Sequence, residues 1–147
     1  MYFVDRESII GRLNVLNNMI TYFEETTKPS NITETLAYER MVHLIIDSVL
    51  DVGNAMIDGF IMRDPGSYDD IIDILMDEKV ISDEVGSQLK KLIPLRKHLL
   101  QDYTETIIDK MVATMNETIQ SIKSFPVDVN SYLTKELGPV NAFSNGK

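Results

Sequence analysis

The sequence predicts an all-α bundle of five or six helices, on three observations. Apolar residues recur every three or four positions along most of the chain, the signature of amphipathic helices. Glycine and proline are sparse, with 7 and 5 copies in 147 residues, and they fall in few places, leaving long periodic stretches between them. No stretch alternates apolar and polar residues as a half-buried strand does. Internal repeats and linker-like segments are also lacking. One helical domain over residues 1–140 is expected, with Asn141 to Lys147 as a loose tail.

The elements follow in order. Asp5 can cap a first helix, in which Ile9, Leu13, Leu16, Ile20 and Phe23 share a face. Thr26 to Ser30, with Pro29, ends it. Asn31, followed three residues later by Glu34, has the capping arrangement that opens a long second helix, running over roughly 32–62 to Arg63-Asp64-Pro65-Gly66. Ser67 with Asp70 starts a third helix, reaching about 79. Ser82, followed by Asp83 and Glu84, starts a fourth. Pro94 should kink or restart the chain there, because proline fits poorly inside a helix. A further helix carries Ile108, Met111, Met115, Ile119 and Ile122, and Pro126 is expected to stop it. A short last helix near 129–137 closes at Gly138-Pro139.

The formal net charge is −9. Such a chain repels phosphate backbones, which argues against a protein that coats nucleic acid, and DNA is not expected as a partner. The densest cationic cluster is Lys90, Lys91, Arg96, Lys97 and His98. It reads either as a solvated helix face or as a local basic site. No cysteine is present, which removes disulfides, thiolate zinc sites and a cysteine nucleophile. The start, Met1-Tyr2-Phe3-Val4-Asp5-Arg6-Glu7, lacks the basic and apolar regions of a signal peptide. No run approaches the ~20 apolar residues that cross a bilayer. A cytoplasmic protein without a membrane partner is the expectation.

The second helix is the most informative. At about 100° per residue, Leu44, Ile45, Ile46, Val49, Leu50, Val52, Ile57 and Ile61 fall on several sides, so the helix should be central. One stripe interrupts it: Arg40, His43, Asp47, Asp51, Asn54 and Asp58. Carboxylates on an otherwise buried helix need partners or water. Either the stripe is a solvent-facing seam with salt bridges, or it lines a cleft or dimer groove that receives a basic residue, with Arg96 the candidate. A metal is not expected. Bundle di-metal sites use Glu-x-x-His pairs, whereas Glu39 and His43 stand one residue too far apart, and His98 has no such glutamate. No phosphate-binding glycine loop and no local triad motif occur, and no cofactor is expected. The eight methionines suit a helical core or an adaptable apolar interface.

Two blocks carry a resemblance. One runs from Asp51-Val-Gly-Asn54 through Asp58-Gly-Phe-Ile-Met-Arg-Asp-Pro65-Gly-Ser67-Tyr68 to Leu75, and the other is Leu95-Arg96-Lys97-His98-Leu99-Leu100-Gln101-Asp102-Tyr103. Together they resemble the HepT-like family, over nearly the whole chain. The resemblance implies an all-α fold of the type also called a nucleotidyltransferase substrate-binding subunit, and a homodimer. Many members are the toxin half of a toxin–antitoxin pair, with RNA as substrate. Their partner is a separate minimal nucleotidyltransferase that adenylylates a tyrosine. The family motif is an arginine, four to six residues, a histidine, and a tyrosine two residues later. Here the arginine is Arg96, the tyrosine is Tyr103, and the histidine position holds Gln101. An active member would be an RNA endonuclease, but glutamine cannot give or take a proton near neutral pH as histidine can. His98 comes too early to replace it. The spacing of seven places Arg96 and Tyr103 on one helix face, where Arg96 could meet a phosphate or a carboxylate. Two functions follow: a degenerate, non-catalytic dimeric binding or regulatory module, or a ribonuclease toxin neutralised by modification of Tyr103. Asp47, Asp51, Asn54, Asp58 and His98 are the candidate cleft.

Overall fold

The computed structural model describes residues 2–139. Among them are six helices, α1 (Arg6–Glu25), α2 (Ile32–Gly59), α3 (Tyr68–Asp77), α4 (Asp83–Leu89), α5 (Ile93–Leu100) and α6 (Ile108–Leu137), and no strand. The boundary expected at 140 and the tail at 141–147 lie outside the described residues. No helix among the described residues is long and apolar enough to cross a membrane.

The starts obey local chemistry. Backbone N–H groups of a helix's first turn have no partner within the helix. Asp5 accepts from the Ser8 N–H, Asn31 from Glu34, Ser67 from Asp70 and Ser82 from Val85, at 2.8–3.1 Å. Pro94 lies in the first turn of α5, where its missing N–H costs nothing, so the chain restarts there rather than kinking.

α2 is the centre. Val42, Ile45, Val49, Val52, Met56 and Ile57 are buried, from several sides of the helix. α1 lies along it, and α3, α5 and α6 pack on it, while α4 rests on α6. α2 and α3 approach closely at Gly53, where a Cβ would sit 2.5 Å from Ile71 Cγ2. Only glycine fits that crossing without a shift.

One end differs from expectation. Pro126 does not stop the sixth helix, because α6 runs unbroken from Ile108 to Leu137. Proline inside a helix costs about 3 kcal/mol. Burying Phe125, Val129 and Leu133 on the inward face offsets it, at roughly 1.5–3 kcal/mol for each side chain. Tertiary packing therefore outweighs the local rule.

α2 ends at Gly59, three residues before the sequence suggests. Ile61 then takes a left-handed backbone, φ 56°, and the Met62 N–H returns to the Ile57 carbonyl at 2.9 Å. The turn to α3 is clamped by one carboxylate. Arg63 makes a two-pronged bond to Asp70, Nη1 to Oδ2 at 2.7 Å and Nη2 to Oδ1 at 2.8 Å. The Gly66 N–H donates to the same Oδ2 at 2.9 Å. The Arg63 guanidinium, then the Gly66 amide, lower the Asp70 carboxyl to about 2.

Two outcomes follow. Phe125→Ala should lower unfolding stability by about 3–5 kcal/mol in urea titration, since a fully buried ring leaves a cavity. Asp70 has a depressed folded-state pKa, so its contribution is present above the unfolded value of 3.8 and lost as pH falls through about 2. The gap in denaturation midpoint between wild type and Arg63→Gln should be full at pH 5 and should close as the pH is lowered towards 2.

Candidate functional site

α5 is short and held to the bundle by Leu92 and Leu95, both buried. Arg96 follows Leu95 and reaches the seam of α2. Its Nε donates to Asp47 Oδ1 at 2.9 Å, and both side chains are only partly exposed, 27% and 31%. The other oxygen, Oδ2, lies 2.9 Å from His43 Nε2. Arg40 Nη1 stands 3.3 Å from His43 Nδ1. Arginine can only donate, so Nδ1 accepts and the imidazole hydrogen is assigned to Nε2, facing Asp47. Asp47 thus holds a donor on each oxygen. The Asp47 hydrogen bond chiefly raises the Arg96 pKa, so the guanidinium stays charged.

Above Arg96 is Tyr68. The guanidinium carbon sits 4.9 Å from the ring centroid, a cation–π contact. Tyr68 is the first residue of α3, placed by the Ser67 cap and by the Arg63–Asp70 clamp. Together these side chains border a groove of about 420 Å³, with Tyr68, Pro94 and Leu100 as apolar wall and Arg96, Lys97 and Gln101 as polar edge. A second groove of about 410 Å³ shares Tyr68 and adds Asn54, Pro65, Gly66 and Ile71.

The structure therefore brings Asp47, Arg96 and Gln101 into one neighbourhood, with Asn54 on its far side. Of the two readings of the stripe, each describes a part. Asp51 is exposed and lies 3.7 Å from Arg12, as a salt-bridged seam would have it, and Asp58 is exposed. Asp47 receives Arg96 of α5 in a partly buried pair, whereas the Asp51 pair with Arg12 of α1 is exposed. His98 does not line the groove. It is half-buried, and its Nδ1 is enclosed without a hydrogen-bond partner among the described residues.

Tyr103 requires a correction. It does not share a helix face with Arg96, because α5 ends at Leu100. The N–H groups of Gln101 and Asp102 both donate to the Lys97 carbonyl, at 2.8 and 3.0 Å. Asp102, Thr104 and Thr106 favour turns over helix. Tyr103 stands in that turn, 75% exposed.

Tyr68 is the groove residue that sequence reasoning missed. Its one signal was its place directly after a capping serine, which fixes the ring at a helix start. No group of three or more histidines or carboxylates suited to a metal occurs among the described residues.

Chemically, the site can bind an anion. Arg96 carries five N–H donors, and Nε alone is hydrogen-bonded among the described residues. The forked end is left for a phosphate or carboxylate, with Lys97 beside it. Gln101 supplies hydrogen bonds but no titrating group.

The family described as Ribonuclease HepT-like matches residues 8–129. A Bacillus subtilis (strain 168) protein named "Putative RNase YutE" is 46% identical over 143 residues, 97% of this chain and 99% of the relative. The solved structure of that protein, described as cytosolic and of unknown function, superposes with a TM-score of 0.93 over 97% of this chain and 100% of its own. A tri-AMPylated Shewanella oneidensis HEPN toxin, solved in complex with MNT antitoxin, gives a TM-score of 0.73 at 18% identity, over 84% of this chain and 96% of that one. That last likeness concerns the fold alone. From the match across most of its length and the near full-length relative, this chain belongs to the HepT-like family.

Proposed function

We propose that this protein is a cytoplasmic, homodimeric HepT-like module that binds a phosphate-bearing ligand at Arg96 and does not cleave RNA. One observation carries the reading: Gln101 borders the Arg96 groove at the position where the family motif has histidine. The groove keeps the cation that would orient a phosphodiester and lacks the group that would move its proton. The dimer is supported by the outward face of α2. Below Arg40 it exposes Ile32 by 71% and Leu36 by 59%, apolar surface that an isologous partner would cover.

A second reading has its own support. Tyr103 is 75% exposed and lies in a turn, where a separate minimal nucleotidyltransferase could reach its hydroxyl. With the RNase name of the Bacillus subtilis relative, this favours a ribonuclease toxin neutralised at Tyr103.

Induced expression separates the two. Wild type and Arg96→Ala should both leave growth unchanged, and Gln101→His tests whether restoring one imidazole makes the scaffold toxic. Growth arrest by wild type that Arg96→Ala abolishes would establish the toxin reading instead. Mass spectrometry of protein co-expressed with a cognate transferase checks both the partner and the assembly. The binding reading predicts an unmodified chain and a native mass of twice 16.7 kDa. An added nucleotide on Tyr103, lost in Tyr103→Phe, supports the second reading.

A further inference from the structure

Tyr68 is shared by the two grooves, whereas Arg96 and Lys97 line only the first and Asn54 only the second. Tyr68 is 47% exposed as a residue although it sits at a packed helix start with Arg96 over one face of its ring. An aromatic side chain held by a cap, a clamp and a cation, yet left half open, is a prepared stacking surface. Asn54 brings a carboxamide, which can donate and accept at once, to the groove on the other side of the partition. Cation, ring and carboxamide thus follow one another across α5, α3 and α2, in the order phosphate, base face, base edge.

We propose that the two grooves flanking Tyr68 form one nucleotide site, in which Arg96 and Lys97 take the phosphate and the base stacks on the Tyr68 ring beside Asn54. The proposal rests on the binding reading above and names its ligand class. Asp69 also lines the first groove. Its charge opposes accumulation of further negative charge, so a singly charged phosphodiester suits the groove better than a di- or triphosphate. A strand of RNA and a free mononucleotide both carry a base beside a phosphate, a diester in the strand and a more highly charged monoester in the mononucleotide, and the experiment must tell them apart.

The test measures binding of a labelled adenosine ribonucleotide hexamer and of an abasic hexamer by fluorescence anisotropy at low salt, with AMP as competitor. Tyr68→Ala should weaken the base-bearing hexamer by about tenfold or more, the usual loss of a stacking aromatic, and change abasic binding by less than about twofold. Tyr68→Phe should retain the wild-type preference. The chain contains no tryptophan, so Tyr68→Trp installs a sole indole. Its emission should be quenched by the base-bearing hexamer and not by the abasic one.

Equal losses on both hexamers would mean that Tyr68 only steadies Arg96, and would overturn the stacking site while leaving the binding reading intact. An indole that neither hexamer quenches would do the same. Displacement by AMP at concentrations matching the hexamer's own affinity would assign the site to free nucleotides, and failure of AMP to compete would assign it to a strand. If wild type binds neither hexamer nor AMP, this inference and the binding reading both fail.

Discussion

The candidate site depends on the carboxylate of Asp47. It sits on α2, the helix that the rest of the bundle buries, so its charge must be met locally. His43 meets one oxygen and Arg96 the other. The same contact ties α5, a helix of 8 residues with one buried side chain of its own, to the centre of the fold. Without a partner on Asp47, Arg96 would be a long, free side chain beside a shallow groove. With it, the guanidinium is anchored through Nε, and its other donors are set against Tyr68. A partly buried pair of this kind has more to do with position than with net stability.

The opposite wall is built by a separate device. Ser67 caps α3, and Arg63 and Gly66 grip Asp70 from the preceding turn. These contacts leave the first residue of α3 little choice of direction. Tyr68 therefore meets Arg96 through two independently held backbones. A cation and an aromatic ring fixed in this way need no reorganisation to receive a planar or anionic ligand.

Much of this was legible in the sequence, because it is local. Asp5, Asn31, Ser67 and Ser82 announce their helices by side-chain chemistry, and all four caps form. The apolar residues around α2 place it at the centre, and its acidic stripe asks for a cation, which Arg96 provides. What the sequence misled on is set by competition over distance. Pro126 looks like a stop until the buried face on both sides of it is known. Tyr103 looks like a helix neighbour of Arg96, because the seven-residue spacing says nothing of where α5 ends. Tyr68 shows in sequence only as the residue after a capping serine, since its meeting with Arg96 comes from a helix that follows it by more than twenty residues. The resemblance assigns the family's motif to Arg96, Gln101 and Tyr103, and of these the structure puts Arg96 and Gln101 on the rim of one groove.

The account therefore joins a preserved fold to an altered reactive position. Arg96 is held by Asp47 and Tyr68, and under the proposed reading it is the cation that meets a phosphate while Gln101 offers an amide where the resemblance implies a proton-transfer group. The most direct measurement incubates purified wild type and Arg96→Ala with total RNA and follows strand length. The account predicts intact RNA in both. Cleavage that purifies with wild type and disappears in Arg96→Ala would contradict it.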